Sequence, residues 1–303
     1  MINTKRMYIT SVRPGRDFRL RLTIVISAVL ILSVLAIAQC PANEDAIWKH
    51  FIAWFKSTPT DGNPLGAYAA RLEKEGLSKA EAGQRAALVL RLFSERPEGI
   101  EVHYDKAYSH PVTGDPAEDG FASAPSEFVA EAVKGRKAGS ALDVGIGQGR
   151  NAVYLARQGW DVTGVDLSQV GLDAARANAE KAGVSIRTEK AAYDQFDFGV
   201  DKWDLIVIVF AWAPVADPSF VAKLRRSLRP GGLVLFEHFI KDANHPYPPM
   251  VRAPEPGKLR NYFSEFDIDF YEETDGIGDW GGPGSHLVRM VARKRSKLRG
   301  RAF

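Results

Sequence analysis

Two periods of apolar residues organise most of this chain. From Pro125 onward, short apolar runs alternate with stretches in which apolar residues return every three or four positions. The runs Ala141–Val144, Val162–Val165, Ser185–Thr188, Leu205–Phe210 and Leu233–Glu237 predict buried strands. Phe128–Val133, Ala152–Arg157, Leu172–Lys181 and Phe220–Leu228 predict the helices between them. Strands separated by single helices build right-handed βαβ units, so the fold class is α/β, a doubly wound and mostly parallel sheet with helices on both faces. Lys258–Phe263 is followed by Asp267–Glu272 and Leu287–Ala292, which read as two closing strands in an antiparallel hairpin.

Upstream the texture differs. Residues 41–100 predict a helical appendage, in which Ile47, Trp48, Phe51, Ile52, Trp54 and Phe55 cluster, Gly76 ends one helix and Ser78-Lys79-Ala80-Glu81 forms a capping box for the next. Between Pro97 and Gly120 the pattern loosens into a predicted loop that carries Tyr104 and Tyr108. Leu22–Ala38 is apolar except for Thr23, Ser27 and Ser33, with arginines before it and Ala36-Ile37-Ala38 at its end. That is the layout of a secretory signal peptide, and as a helix rising about 25 Å it also has the length of a thin-bilayer anchor. Residues 1–40 are therefore expected to be a signal or anchor, 41–100 the appendage, 101–295 the main domain and 296–303 a basic tail.

Charge sharpens this division. The formal net charge is +3 over 40 basic and 37 acidic residues. The first 21 residues carry +5 and the residues from Arg289 onward carry +7, which leaves −9 on the body between them. An acidic body disfavours nucleic acid as its partner, because phosphate binding needs a basic face. The lone cysteine, Cys40, excludes an internal disulfide and a cysteine-based zinc site, so no metal is expected.

The chemistry-bearing stretch is Ala141-Leu142-Asp143-Val144-Gly145-Ile146-Gly147-Gln148-Gly149-Arg150-Asn151. A glycine-rich turn between a strand and a helix lets backbone N–H groups approach a ligand closely, outside the carboxyl ends of the strands. A dinucleotide fingerprint needs a small residue five positions after its first glycine, and Arg150 stands there. Asp143 would repel a pyrophosphate but suits an ammonium group. Asp166, closing the next strand before Leu167, is placed to accept hydrogen bonds from ribose hydroxyls. An aminoacyl nucleoside satisfies both acids, whereas a nicotinamide dinucleotide satisfies one.

These residues resemble motif I and the second-strand acid of the class I S-adenosylmethionine-dependent methyltransferases, which have a Rossmann-like sheet. Gly147–Asn151, Tyr154-Leu155-Ala156 and Gly159-Trp160-Asp161-Val162 further resemble the tellurite-resistance type of small-molecule methyltransferase, and the likeness extends from about Tyr104 to Lys294. The resemblance implies S-adenosylmethionine as cofactor and a small-molecule methyl acceptor. It implies that Gly145, Gly147 and Gly149 line the methionine moiety near Asp143, with Asn151 following, and that Asp166 and Leu167 hold the ribose. After the third strand the family often carries an acid for the adenine amino group. Here Ala191-Ala192-Tyr193-Asp194 offers either Asp194 or the backbone near Tyr193.

Methyl transfer is an in-line displacement, and the protein mainly aligns the reactants and excludes water. Phe210, Trp212 and Pro214 follow the fourth strand, where aromatic faces attract a sulfonium or form a plain apolar wall. Glu237, His238 and His245 are the candidate bases for an acceptor that needs one, although each also reads as structural, and no catalytic residue is assigned. Two alternatives stay open, a non-catalytic S-adenosylmethionine-binding or scaffolding protein and an NAD- or FAD-binding oxidoreductase. Charge around residues 22–38 sends everything after Ala38 across a membrane, whereas the methyl donor is made in the cytoplasm, so a cytoplasmic domain is the competing expectation.

Overall fold

A computed structural model of the chain describes residues 41–58, 64–109, 123–241, 253–276, 278 and 285–296. The apolar segment at 22–38, Cys40, His245, Trp280 and the tail from Lys297 lie outside the described residues. Among the described residues no helix is long and apolar enough to cross a membrane. The chain divides into two compact units, Met1–His50 and Phe51–Phe303. Of the first, the described part is the opening of helix α1 (Pro41–Ser57), where Glu44 in the first turn complements the helix dipole.

In the second unit, the end of α1 is followed by α2 (Pro64–Lys74), α3 (Lys79–Glu95) and α4 (Pro97–Tyr108). Gly76 sits at φ 99° where α2 stops. The capping box is formed: the Ser78 hydroxyl accepts from the Glu81 backbone N–H over 3.3 Å, and the Glu81 carboxylate accepts from the Ser78 N–H over 3.1 Å. Phe51 stacks on Phe55 at 5.3 Å and meets the ring of Tyr68 edge-on at 5.1 Å, forming an aromatic core for these helices.

Helix α4 corrects the loop expected from Pro97. Proline is favoured in a first helical turn, and Ile100, Tyr104 and Tyr108 recur every four positions on one face. Polar residues between them hid that face from a reading of apolar runs. The Lys106 ammonium donates to the carbonyls of Phe55, at 2.7 Å, and Thr58, and lies 4.9 Å over the Phe55 ring. The appendage thus grips α4, and the boundary expected at residue 100 falls inside that helix.

The main sheet follows α5 (Glu127–Val133) and has seven strands in the order β3-β2-β1-β4-β5-β7-β6. They are β1 (Ser140–Val144), β2 (Asp161–Asp166), β3 (Arg187–Lys190), β4 (Trp203–Val209), β5 (Leu228–Phe239), β6 (Phe266–Gly276) and β7 (Ser285–Lys294). The first five pair in parallel, and β7 runs antiparallel to both β5 and β6. Helices α6 (Arg150–Arg157), α7 (Gln169–Lys181) and α8 (Pro218–Ser227) make the crossovers, and the short α9 (Leu259–Tyr262) precedes β6.

Alternation within strands explains why both faces are covered. Leu205, Val207 and Val209 of β4 join one core with Ala152 and Leu155 of α6, Leu172 of α7 and Val129 of α5. Ile206 and Ile208 point the other way, into a second core with Phe220 and Leu224 of α8 and Leu259 of α9. Each such side chain contributes roughly 1.5–3 kcal/mol on burial. Strand β5 begins five residues earlier than expected, because a register shift between Trp203 and Leu205 accommodates the segment containing Pro230-Gly231-Gly232. The chain returns to the centre after β3 and continues at β4, so the switch point of the sheet lies at the carboxyl ends of β1 and β4.

Candidate active site

A cavity of about 490 Å³ opens at that switch point, lined by Gly145, Gly147, Asn151, Asp166, Leu167, Tyr193 and Phe210 together with Tyr104, Tyr108, Arg150 and Trp212. Its floor is the turn between β1 and α6. Gly145 and Gly147 have φ of 73° and 51°. A Cβ at Gly145 would lie 2.5 Å from that of Ala211, and one at Gly147 would lie 2.6 Å from the Tyr108 hydroxyl oxygen. Both conformation and space therefore demand glycine.

Asp166 is the acid of this floor. Its Oδ2 accepts from the Gly147 N–H and its Oδ1 from the Ser168 N–H, each over 2.9 Å. Burial pushes its pKa up, while the backbone donors Ser168, Gly147 and Leu167 oppose that rise. A carboxylate has about four lone-pair sites, so acceptor capacity remains for hydroxyl groups entering the cavity. Asp143 stands behind the turn, 2% exposed and away from the cavity lining. Burial raises its pKa to about 7, against the opposing Arg150 charge and the Ala152 N–H bond. Asp143 therefore braces the start of α6.

Two further residues of the predicted set are not among those that line the cavity. Gly149 does not line the cavity; its place for a Cβ is 2.9 Å from Ala175 Cβ, so it permits close packing of α6 on α7. Asp194 is exposed and off the cavity, whereas Tyr193 lines it. Of the two readings for the segment after β3, the described geometry brings only Tyr193 to the site.

Helix α4 supplies the facing wall. Asp105 accepts from the Ser168 hydroxyl over 2.6 Å and from the Val170 N–H over 3.4 Å, which fixes a carboxylate at the N-terminus of α7. Lys190 pairs with Glu101 at 2.7 Å. Tyr108 consequently lies over Gly147 and over Gly171, whose added Cβ would come within 2.8 Å of its ring. Tyr104 stacks on Tyr108 at 5.6 Å and accepts from the Trp212 indole N–H. Asp105 and Gly171 were not anticipated from the sequence; a serine cap with glycine three residues on, Ser168 and Gly171, was the available signal.

Glu237 is structural. Its Oε2 accepts from the Ser126 hydroxyl at 2.5 Å, its Oε1 from Arg289 at 2.6 Å, and its backbone carbonyl from the Phe210 N–H at 2.8 Å. Ser126 in turn donates its N–H to Asn151 Oδ1 over 2.9 Å, so Asn151 ties the start of α6 to α5 while also lining the cavity. His238 is buried against Phe210 and Trp212.

Residues 141–232 match the methyltransferase domain family. Among curated relatives, hemagglutinin 1 of Eikenella corrodens is 28% identical over 188 residues, covering 59% of this chain and 58% of that protein. The ubiquinone biosynthesis O-methyltransferase of Alkalilimnicola ehrlichii is 32% identical over 112 residues, covering 36% of this chain and 45% of the enzyme. The chain thus spans about half the length of the curated relatives it matches. The crystal structure of the [4+2]-cyclase SpnF superposes with a TM-score of 0.54 at 18% identity, covering 66% of this chain and 96% of that one, a likeness of fold alone. The segment that matches the methyltransferase domain family thus contains both the glycine turn at the switch point and the acid that ends the second strand.

Proposed function

We propose that the chain transfers a methyl group from S-adenosylmethionine to a small molecule. The observation that carries this reading is the clamp between Gly147 and Asp166 on the floor of a cavity whose volume falls within the roughly 300–1,000 Å³ of small-molecule sites. The residues suit the cofactor: the open glycine turn admits a methionine moiety, Asp166 retains acceptor capacity for ribose hydroxyls, and Tyr193 and Phe210 offer apolar faces. When bound, the cofactor supplies an electrophilic methyl on a sulfonium. Phe210 and Trp212 would attract that positive charge and exclude water, and Tyr104 and Tyr108 would confine the acceptor. The likeness of residues 147–162 to the tellurite-resistance type, and the walling of the cavity by α4, favour a small acceptor over a polymer.

Calorimetric titration of the full-length chain with S-adenosylmethionine and S-adenosylhomocysteine tests the reading. Saturable binding of both is expected, and absence of binding overturns it. Binding without transfer to any acceptor supplied would favour the scaffolding alternative.

For location, the apolar pattern of residues 22–38 supports an export signal or anchor, and the cytoplasmic origin of the methyl donor supports a domain that stays inside. We propose that residues 22–38 act as an export signal or membrane anchor, with a cytoplasmic domain as the alternative. A C-terminal topology reporter distinguishes the two: activity outside the cytoplasm supports the first and activity inside supports the second.

A further inference from the structure

Helix α4 faces the cavity with one side and the helical appendage with the other. At 3.6 residues per turn, Ile100, Tyr104 and Tyr108 share a face, and Lys106 projects from the opposite one. The first three line the cavity and Lys106 does not. Its ammonium reaches the carboxyl end of α1, where it donates to the carbonyls of Phe55, at 2.7 Å, and Thr58. The last carbonyls of a helix have no partner within that helix, and the helix dipole favours a cation beside them. The Phe55 ring lies 4.9 Å from the same ammonium and stacks on the imidazole of His103 at 6.5 Å, so two residues on the back of α4 share one aromatic side chain.

The residue before Lys106 holds the other side. Asp105 accepts from the Ser168 hydroxyl over 2.6 Å and from the Val170 N–H over 3.4 Å. Ser168 is fully buried and bonds in two further directions: its hydroxyl accepts from the Gly171 N–H over 3.0 Å, and its own N–H donates to Oδ1 of Asp166 over 2.9 Å. Oδ2 of Asp166 in turn holds the Gly147 N–H. Hydrogen bonds on either side of the 105–106 peptide thus join the end of α1 to the floor of the cavity. The ion pairs that α4 makes through Glu98 and Glu101 are solvent-exposed and add little. The seating of α4 therefore depends on Asp105 in front and Lys106 behind.

We propose that Lys106 is a positioning residue of the cofactor site, which sets the affinity for S-adenosylmethionine without touching it; this rests on the methyl-transfer reading. By capping α1 from the back of α4, Lys106 fixes that helix so that Asp105 meets Ser168 and the two tyrosines stand over the glycine turn. A site whose supporting contacts are already made loses less freedom when a ligand enters, whereas a loose wall must be ordered at the expense of affinity. The appendage is in this way part of the binding site, although it lies outside residues 141–232, which match the methyltransferase domain family.

The test titrates the full-length chain with S-adenosylhomocysteine by calorimetry, well below the unfolding temperature. Lys106→Met keeps the length of the side chain and removes its charge, and it should weaken binding about three- to thirtyfold. Asp105→Asn should also weaken binding, and the double variant should lose less than the product of the two losses, since both act through the contact with Ser168. Hydrogen exchange in Lys106→Met should quicken more at the Ser168 and Gly171 amides than at those of β4. If Lys106→Met does not fold, Phe55→Leu removes the ring beside the ammonium, leaves the carbonyl in place and should weaken binding about two- to fivefold. Lower stability with unchanged affinity, losses that simply multiply in the double variant, or no excess exchange at Ser168 and Gly171 would each overturn the proposal. Failure of the wild type to bind S-adenosylhomocysteine is a different result, because it removes the methyl-transfer reading itself.

Discussion

Gly147 donates its backbone N–H to Oδ2 of Asp166 over 2.9 Å, so the turn after the first strand and the acid that ends the second form one piece. The floor of the cavity is therefore preorganised by the sheet: neighbouring parallel strands bring the two residues together, although 19 positions separate them in sequence.

Replacing the acid tests the cost of that arrangement. Asp166→Asn keeps the side-chain shape and removes the charge, and hydrogen bonds to charged groups contribute about 1.5–3 kcal/mol. S-adenosylhomocysteine affinity should fall about ten- to hundredfold by calorimetry.

Gly147→Ala attacks the same turn through its backbone. The position is left-handed at φ 51°, and the new Cβ would meet the Tyr108 oxygen at 2.6 Å and its Cζ at 3.1 Å. A loss of about 1–2 kcal/mol is expected from conformation alone, with more from the clash. Adding Tyr108→Ala should recover part of the clash cost, and a double-mutant cycle in urea would measure that coupling.

Arg289 holds Glu237 from strand β7, with its side chain 28% exposed and that of Glu237 only 4%. Burial works against its charge, yet Glu237 and Glu272 keep the pKa of Arg289 above the usual range. Arg289→Met would strand a buried carboxylate, at about 3 kcal/mol, the low end for broken buried pairs because the arginine is partly exposed. Adding Glu237→Gln should restore part of the stability, as read from the urea midpoint.

Asp143 makes a prediction about pH. Its pKa rises to about 7 in the folded chain from 3.8, so the folded state keeps a proton that the unfolded state releases across that window. Its contribution to stability is complete below about pH 3.8 and is lost as pH rises through 7. Asp143→Asn, which cannot ionise, should be more stable than wild type at pH 8, by about 4 kcal/mol. Thermal melts should show that advantage shrinking as the pH is lowered from 7 towards 4.

How much of this could be read from residues alone depends on the range of the interaction involved. Leu205–Val209 announced a strand buried on both faces, because apolar residues at every position leave no solvent side. Gly145, Gly147 and Asp166 were legible because a turn that must admit a ligand needs glycine, and an acid ending the neighbouring strand falls beside it. Helix α4 was not legible, since its tyrosine face is divided by polar residues and it is held in place by Lys106 and Asp105 reaching partners distant in the chain.

The sequence by itself determined the doubly wound sheet, the ligand-facing turn and the acid beside it, because alternation, glycine conformation and strand ends are local properties. Only the tertiary structure decided that Gly149 faces Ala175, that Asp194 stands in solvent while Tyr193 reaches the cavity, and that Glu237 is consumed by Ser126 and Arg289. It also left His238 with an unpaired nitrogen behind the aromatic wall. Each of those outcomes depends on which side chains meet across the fold, and no spacing along the chain encodes them.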